Sequence, residues 1–186
     1  MAKQTWKPGN MLYPLPVVMI SCKEEGKKPN IITVAWAGTI NSDPVMVSVS
    51  VRKERYSHDI IESTGEFVIN LVTKDLTYAT DYCGVKSGRD VDKFEKLGLT
   101  PVSVEGVSCP AIAESPLSLA CIVREVKELG SHDMFIAEVV SVTVDDKYMN
   151  ADGKFELNNT GLVAYSHGEY FELGEKIGKF GYSVKK

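Results

Sequence analysis

The sequence has few of the residue patterns that mark metal sites and redox disulfides. Its four cysteines are widely and irregularly spaced and form no C-x-x-C pair, which argues against a zinc site and against a thioredoxin-like centre. Only three histidines are present, His58, His132 and His167, and none forms an H-x-x-x-H motif. We therefore expect no bound metal ion, and we expect reduced, mostly buried thiols in a cytoplasmic protein.

The motifs of common nucleotide-binding and hydrolytic enzymes are also missing. The chain contains no G-x-G-x-x-G, no Walker loop and no G-x-S-x-G elbow, so Rossmann, P-loop and α/β-hydrolase proteins are disfavoured. An apolar stretch over residues 11–22 is interrupted by Pro14 and Pro16, and no small-x-small cleavage site follows it. We expect neither a secretory signal nor a membrane-spanning segment.

Length and charge narrow the class of protein further. A chain of 186 residues with 44% hydrophobic and 25% charged residues is typical of one soluble globular domain, so we expect a single domain over residues 1–186. The formal net charge of −4 lacks the positive field that drives nucleic-acid binding, so neither nucleic acid nor membrane is an expected partner.

Short apolar runs between turn signals predict a mainly β protein. Brief helical inserts capped by Ser57 and Asp75 leave no room for the long crossovers of a parallel sheet, and a third short helix is expected over 91–97. The pattern therefore favours a Greek-key antiparallel barrel with short flanking helices. The predicted strands are 17–22, 31–36, 45–51, 66–72, 117–128, 134–145 and 162–165, with a loop over 150–161 and a surface tail over 171–186.

The strand over 45–51 alternates between an apolar and a polar face. Ser48, Ser50 and Arg52 share the polar face, and Arg55 and Ser57 follow at the expected start of a helix. A guanidinium group, hydroxyl groups and free helix N–H groups are what a phosphate requires. The alternative is an ordinary solvated strand end with a capping serine.

A second candidate is the strip of small residues on the preceding strand. Thr33, Ala35 and Ala37 share one strand face, which leaves room for a flat ligand, whereas Trp36 faces the other way and is expected in the core. The alternative is a small-residue strip packed beneath a neighbouring strand.

Three more residues are candidates on weaker grounds. Asn70 ends an apolar strand and offers an amide to a heterocycle, or it closes a turn. Cys83 opens a glycine-bearing loop that continues to Lys93. This loop covers an anionic ligand or is a plain surface loop, and Cys83 is either a reactive thiol or, more in keeping with its type, a buried inert one.

Taken together, these segments resemble the flavin reductase-like, FMN-binding split-barrel family, and within it the flavoredoxin-like group. The resemblance covers about residues 12–170, leaving 171–186 as a C-terminal tail, and it depends on the order and spacing of the segments. They are PNIITVAWAG (29–38), PVMVSVSV (44–51), RYS (55–57), GEFVINL (65–71), GRDVDKF (88–94) and GSHDMFIAEV (130–139).

The resemblance implies a homodimer that holds FMN non-covalently at the subunit interface, with NADH or NADPH as electron donor. It places His132 near the nicotinamide, although the family's Gly-Asp-His turn is here Gly-Ser-His-Asp, and it places Ala137 where glycine is common. The cofactor-binding residues it implies are Thr33, Ala35, Trp36, Ala37, Gly38, Ser48, Val49, Ser50, Arg55, Ser57, Asn70, Cys83 and Lys93.

Three functions remain open on the sequence. The first is an NAD(P)H-dependent flavin or ferric reductase, in which the flavin carries the redox chemistry and no protein acid or base is required. The second is a flavoredoxin-type electron-transfer protein with a protein donor, which the altered turn at His132 motivates. The third is a flavin-binding module without turnover.

Overall fold

In the computed structural model, which describes residues 1–184, the chain is built mainly from β-strands. The strands are β1 (Leu15–Pro16), β2 (Val18–Cys22), β3 (Asn30–Val34), β4 (Ala37–Ser42), β5 (Val45–Arg52), β6 (Glu66–Leu71), β7 (Pro101–Val102), β8 (Ala111–Ile112), β9 (Leu117–Glu128), β10 (His132–Val144), β11 (Val163–Ser166) and β12 (Glu169–Glu172). The α-helices are α1 (Tyr56–Thr64), α2 (Thr77–Val85) and α3 (Lys93–Leu97), and single 3-10 turns cover Lys74–Leu76, Asp146–Tyr148, Leu157–Asn159 and Tyr182–Val184.

Seven strands form one antiparallel sheet in the order β3-β2-β6-β9-β10-β5-β4. Its two edge strands, β3 and β4, are neighbours in the chain and are joined only through Ala35 and Trp36. Val34 of β3 packs in the same core cluster as Val47 and Val49 of β5, so the sheet curls until its edges approach. We call the gap between β3 and β4 the seam. This confirms the predicted antiparallel split barrel.

The alternation along β5 explains how the barrel interior is filled. Val47, Val49 and Val51 are buried, while Ser48 and Ser50 are only partly covered, as the period of two requires. Phe67 and Phe135 complete the interior. A second cluster lies on the outside of β2 and β3, where Leu76, Cys83 and Phe94 pack against Met19 and Ile31.

The helix α1 begins earlier than the sequence predicts, whereas α2 and α3 begin later. Ser57 is the second residue of α1 and the N-cap is Arg55, so the prediction of a Ser57 cap was wrong. Asp75 is also not a cap, because a 3-10 turn over Lys74–Leu76 precedes α2 and Gly84 lies inside that helix. The predicted end of α1 is confirmed, since Gly65 adopts a left-handed φ of 68°.

Five strands of the described chain were missed in the sequence, namely β1, β4, β7, β8 and β12. Of these, β4 is polar and mostly exposed because it is an edge strand. The β12 strand runs into the predicted tail and pairs with β11 through Tyr165 and Tyr170, and the last two residues of that tail lie outside the described part of the chain. Over residues 1–184, no helix combines the length and the apolar character needed to cross a membrane.

Candidate functional site

Two adjoining cavities lie beside the seam. The first, which we call the cleft, has a volume of about 310 Å³ and is bounded by the β3–β4 connection, the end of β5, helix α2 and the β11–β12 hairpin. The second, the annex, also has a volume of about 310 Å³ and lies at the start of α1. Ile32 and Arg55 line both, so the two cavities form one elongated site.

Small residues and tight packing shape the floor of the cleft. Thr33 and Ala35 line it, and the Thr33 hydroxyl donates to the Thr80 carbonyl oxygen of α2 at 2.5 Å. A Cβ on Gly84 would lie 3.3 Å from the Thr33 Cβ, so the glycine lets α2 approach β3 closely. The side of the cleft at Thr33 is therefore closely packed against α2.

Trp36 lies in the wall of the cleft and not in the core, which corrects the sequence prediction. Its side chain is 39% exposed and its ring packs on His132, with centroids 4.3 Å apart and planes tilted by 41°. Because Trp36 is the connection between two edge strands, no neighbouring strand covers it. Both rings line the cleft.

His132 is held as a neutral imidazole in this position. Burial, and then the positive charge of Arg52, lower the pKa of His132 below its ordinary value, so the ring is uncharged at neutral pH. The Ser131 hydroxyl lies 2.9 Å from His132 Nδ1. His132 can therefore exchange a hydrogen bond with a ligand in the cleft, but it offers no fixed positive charge.

The annex is an anion-binding environment. Arg55, Lys86, Arg89 and Lys93 line it together with hydroxyl groups of Ser57 and Ser87. Among the described residues no side chain caps the N-terminus of α1, and the first two residues of this nine-residue helix, Tyr56 and Ser57, line the annex. One acidic residue, Glu54, also lines it. Basic side chains at an open helix N-terminus are the standard donors for a phosphate group.

Lys93 is the deepest cation of the annex. It is 3% exposed, and its Nζ donates to the Ile31 and Cys83 carbonyl oxygens at 2.6 and 2.9 Å. Burial lowers its pKa from the ordinary value. Lys93 thus ties α2 and α3 to β3 and adds positive potential beneath the annex.

The loop that closes the annex depends on a glycine. A Cβ on Gly88 would lie 2.9 Å from Tyr56 Cδ1 and would overlap the Asn30 amide. That amide cannot easily move, because Asn30 Nδ2 donates to the buried Ser57 hydroxyl at 2.8 Å. Arg89, one residue further, packs over the Tyr56 ring with Cζ 5.1 Å from the ring centroid.

Replacing Gly88 by alanine should push the loop away from the annex. We expect the substitution to weaken the binding of inorganic phosphate or of a phosphate-bearing ligand by about 10-fold, because a misplaced loop loses about one charge-assisted hydrogen bond. Titration calorimetry would measure this. Gly153→Ala is the control for a general loss of stability, because Gly153 has a left-handed φ of 73° but an added Cβ there would contact no other atom. Equal binding of phosphate by both variants would contradict the role of Gly88.

A third cavity, of about 450 Å³, adjoins the cleft. Residues 9–13 and Leu15 form one side of it, and Trp36, Ala37, Gly38, Ser48 and Ser50 form the other. We call it the N-terminal groove. Trp36 and Ser50 line both the groove and the cleft, so Ser48 and Gly38 lie next to the cleft and not within it.

Two predicted site residues are placed elsewhere. Val49 is fully buried in the barrel interior, so only its backbone belongs to the wall. Asn70 is also fully buried and lines neither the cleft nor the annex; its amide donates to Met19 O and Ser21 Oγ and accepts from Ile112 N and Ser118 Oγ. All of these hydrogen bonds are made within the protein, so Asn70 offers no amide to a ligand in the cleft.

The cysteines are poor candidates for chemistry. Cys83 borders the annex but is 1% exposed, and burial raises its pKa to about 11. Burial likewise raises the pKa of Cys22, Cys109 and Cys121 to about 12. Because the thiolate is the reactive form, the reading of Cys83 as a reactive thiol is disfavoured.

One side-chain group resembles a metal site. His58, Glu62 and Asp133 bring ligand atoms within 4.8 Å of one another. However, Asp133 Oδ2 already pairs with His58 Nε2 at 2.8 Å and Oδ1 lies 3.3 Å from Lys53 Nζ. We interpret the group as an ion-pair network that fastens α1 to β10.

The pKa of Asp133 follows from this network. Burial opposes its ionisation, but the contacts with His58 and Lys53 outweigh burial and hold the pKa below its ordinary value. Because the pKa of the carboxyl is lower in the folded state, ionised Asp133 stabilises the fold at any pH above its pKa in the unfolded state. This stabilisation is lost as the pH falls through the pKa of Asp133 in the folded state. The β10 end that carries His132 is therefore acid-sensitive.

Sequence reasoning missed the far wall of the cleft. Asp81, Tyr165 and Tyr170 line it, and Tyr170 Oη donates to Asp81 Oδ1 at 3.1 Å. Burial, and then the charge of Asp81, raise the pKa of Tyr170 to about 12. These residues come together only through the pairing of β11 with β12 and its packing on α2, which no local motif signals.

The barrel therefore carries an elongated site beside the seam, with small residues at one end and mostly basic side chains at the other. The family model of the flavin reductase like domain matches residues 10–174, and the chain belongs to this family. An uncharacterized protein of Archaeoglobus fulgidus is 34% identical over 160 residues, which are 86% of this chain and 88% of that protein.

Solved structures agree with this assignment. The flavoredoxin of Desulfovibrio vulgaris (Miyazaki F) superposes with a TM-score of 0.91 at 32% identity, covering 99% of this chain and 100% of that chain. The flavoredoxin from Methanosarcina acetivorans gives a TM-score of 0.89 at 27% identity, covering 99% and 98%. The chain is thus a flavin-related oxidoreductase of the split-barrel type.

Proposed function

We propose that this protein binds FMN non-covalently along the cleft and the annex and uses it for electron transfer. The observation that carries the proposal is the junction of the two cavities at Arg55. A flat cavity with small walls suits the isoalloxazine ring, and a cation-lined cavity at a helix N-terminus suits a phosphate. FMN presents these two groups at opposite ends of one molecule.

The chain's own residues then have distinct roles. Arg55, Lys86 and Arg89 balance the phosphate charge, and Ser57 with the start of α1 supplies hydrogen-bond donors. Thr33 and the backbone of residues 35–38 orient the ring. When bound, the flavin supplies the redox chemistry, while the protein supplies orientation and electrostatics.

The partner proposed for this site is a second copy of the chain. The family resemblance implies a homodimer with the cofactor at the interface, and the cleft is open on the side of the exposed Trp36. A second copy would cover this side and exclude water from the ring. The same arrangement would bring the N-terminal groove into the interface.

A flavoredoxin-type role, with a protein as electron donor, is the better supported of the two redox functions. The likeness to two flavoredoxins extends over nearly the whole chain. In addition, the Trp36 and His132 rings pack together at the cleft, where a nicotinamide would need to stack. An NAD(P)H-dependent flavin or ferric reductase is the second candidate, supported by membership of the family.

The cofactor is tested on the protein as purified. We expect a yellow protein with flavin absorption, and release of FMN, not FAD or riboflavin, on denaturation, identified by mass spectrometry. A colourless protein that also fails to take up added FMN in fluorescence titration would contradict the proposal.

The electron donor is tested by anaerobic stopped-flow spectroscopy of the FMN-loaded protein. We expect slow bleaching of the flavin by NADH and by NADPH, and fast bleaching by a reduced small iron–sulfur protein. Fast, saturable bleaching by either nicotinamide would instead establish the reductase. Bound FMN that no physiological donor bleaches would identify a flavin-binding module without turnover.

A further inference from the structure

The C-terminal segment after β12 is an exposed apolar arm. We define the arm as residues 175–184. Its large side chains are almost entirely exposed: Ile177 is 93% exposed, Phe180 107%, Tyr182 63% and Val184 82%. Soluble monomers rarely leave several large apolar side chains exposed together, and such exposure is typical of an interaction surface.

The arm is nevertheless a defined segment. The Tyr182 ring packs on Gly178, where an added Cβ would lie 2.7 Å from Tyr182 Cδ1, and a 3-10 turn covers Tyr182–Val184. It follows the family domain, which ends at residue 174. The D. vulgaris flavoredoxin matches 99% of this chain over its full length, so its chain is long enough to include the same extension.

The same molecule carries an apolar groove that nothing in its own arm fills. The N-terminal groove, of about 450 Å³, is lined by Met11, Leu12, Tyr13 and Trp36, and its backbone floor includes Gly38. Met11 and Leu12 are 57% and 85% exposed. None of the described arm residues lines it. The chain thus carries both exposed apolar side chains in its arm and an apolar groove that the described arm residues do not line.

We propose that the arm of one copy seats Ile177 and Phe180 in the N-terminal groove of a second copy, and that the exchange is reciprocal. A two-fold symmetric dimer satisfies both arms and both grooves at once, which a single chain or an unrelated partner does not. Glycines at 174, 178 and 181 leave the arm backbone free to approach the groove wall closely.

The exchange would also complete the flavin site, and this part rests on the proposed function. Trp36 and Ser50 line both the groove and the cleft. An arm in the groove therefore packs against the outer side of Trp36 and holds the indole towards His132. The partner would thus control how far Trp36 can move from the ring of the cofactor.

The dimer is tested by light scattering after gel filtration. We expect the full chain to have twice its 20.5 kDa mass, and Ile177→Asp with Phe180→Asp to weaken dimerisation by about 10-fold or more, since buried apolar anchors dominate interfaces. Tyr78→Ser, which changes a side chain that is 77% exposed on α2, is the matched control and should leave the dimer intact. A monomeric full chain, or an unchanged dimer in the double variant, would overturn the proposal.

Contact between arm and groove is tested by mixing two variants that each add one cysteine, Phe180→Cys and Leu12→Cys. The four native thiols are buried, so mild oxidation should report only the new pair. We expect a disulfide between the two different chains. A dimer without this cross-link would refute the exchange. FMN content is measured in parallel. A cross-linked dimer that binds no flavin would contradict only the proposed function. A flavin-loaded dimer without the cross-link would contradict only the exchange of the arm.

Discussion

Replacing Arg55 by glutamate should weaken FMN binding by about 100-fold. Arg55 lines both cavities, so in the proposed complex its guanidinium lies between the ring end and the phosphate end of the cofactor. The substitution removes a charge-assisted donor, worth about 1.5–3 kcal/mol, and adds a negative charge that repels the phosphate. Fluorescence titration of the apoprotein with FMN would measure the change in Kd.

Two controls separate this effect from general electrostatics. Lys127→Glu makes the same change of net charge on the exposed end of β9 and should leave the Kd within about 2-fold, because distant surface charges are screened by salt. Riboflavin, which lacks the phosphate, should bind the wild type and Arg55→Glu with similar affinity. An unchanged Kd for FMN in Arg55→Glu would show that the phosphate is held elsewhere.

Replacing Asn70 by alanine should destabilise the fold by about 3–5 kcal/mol, the range in which broken buried hydrogen-bond networks fall. Asn70 is completely buried. Its removal leaves the Ile112 N–H and the Ser118 hydroxyl without the acceptor that they contact at 2.9 Å. Thermal unfolding should show a decrease in Tm of about 10 °C.

Asn41→Ala is the matched control for this change. Asn41 also donates a hydrogen bond through Nδ2, to the Pro44 carbonyl oxygen at 2.9 Å, but it does so at the exposed edge of the barrel. Its loss should cost about 0.5 kcal/mol or less, since water replaces the bond. Equal stability of the Asn70 and Asn41 variants would contradict the structural role. If the Asn70 variant folds, its affinity for FMN should be unchanged.

The strands of the barrel interior were predictable because their signal is local. Alternation along β5 and the long apolar runs of β9 and β10 follow from each strand having one face in the core. The edge strand β4 was not predictable in this way, because neither of its faces is buried and its residues resemble those of a turn. The start of α1 was misplaced because Ser57 is buried against Asn30 and so cannot act as a cap.

The candidate site was only partly predictable. Arg55 and the loop to Lys93 carry residue types whose chemistry is recognisable in the sequence. Tyr165 and Tyr170 carry no such signal, because they reach the cleft through a small separate sheet. Trp36 was misplaced for a related reason. The alternation of side chains along a strand places Trp36 on the face away from Ala35. At the seam, no other strand covers that face.

The seam itself has a consequence for how this protein behaves when it loses its ligand. Over the described residues, β3 and β4 approach each other without pairing, so that part of the wall is bridged by side chains and, in the proposed complex, by the bound molecule. Removal of the bound molecule should leave all hydrogen-bonded strand pairs of the sheet intact. Amide exchange should quicken only along β3, β4 and the Trp36 link, while the Asn70 region stays protected. Uptake and release can then occur without unfolding.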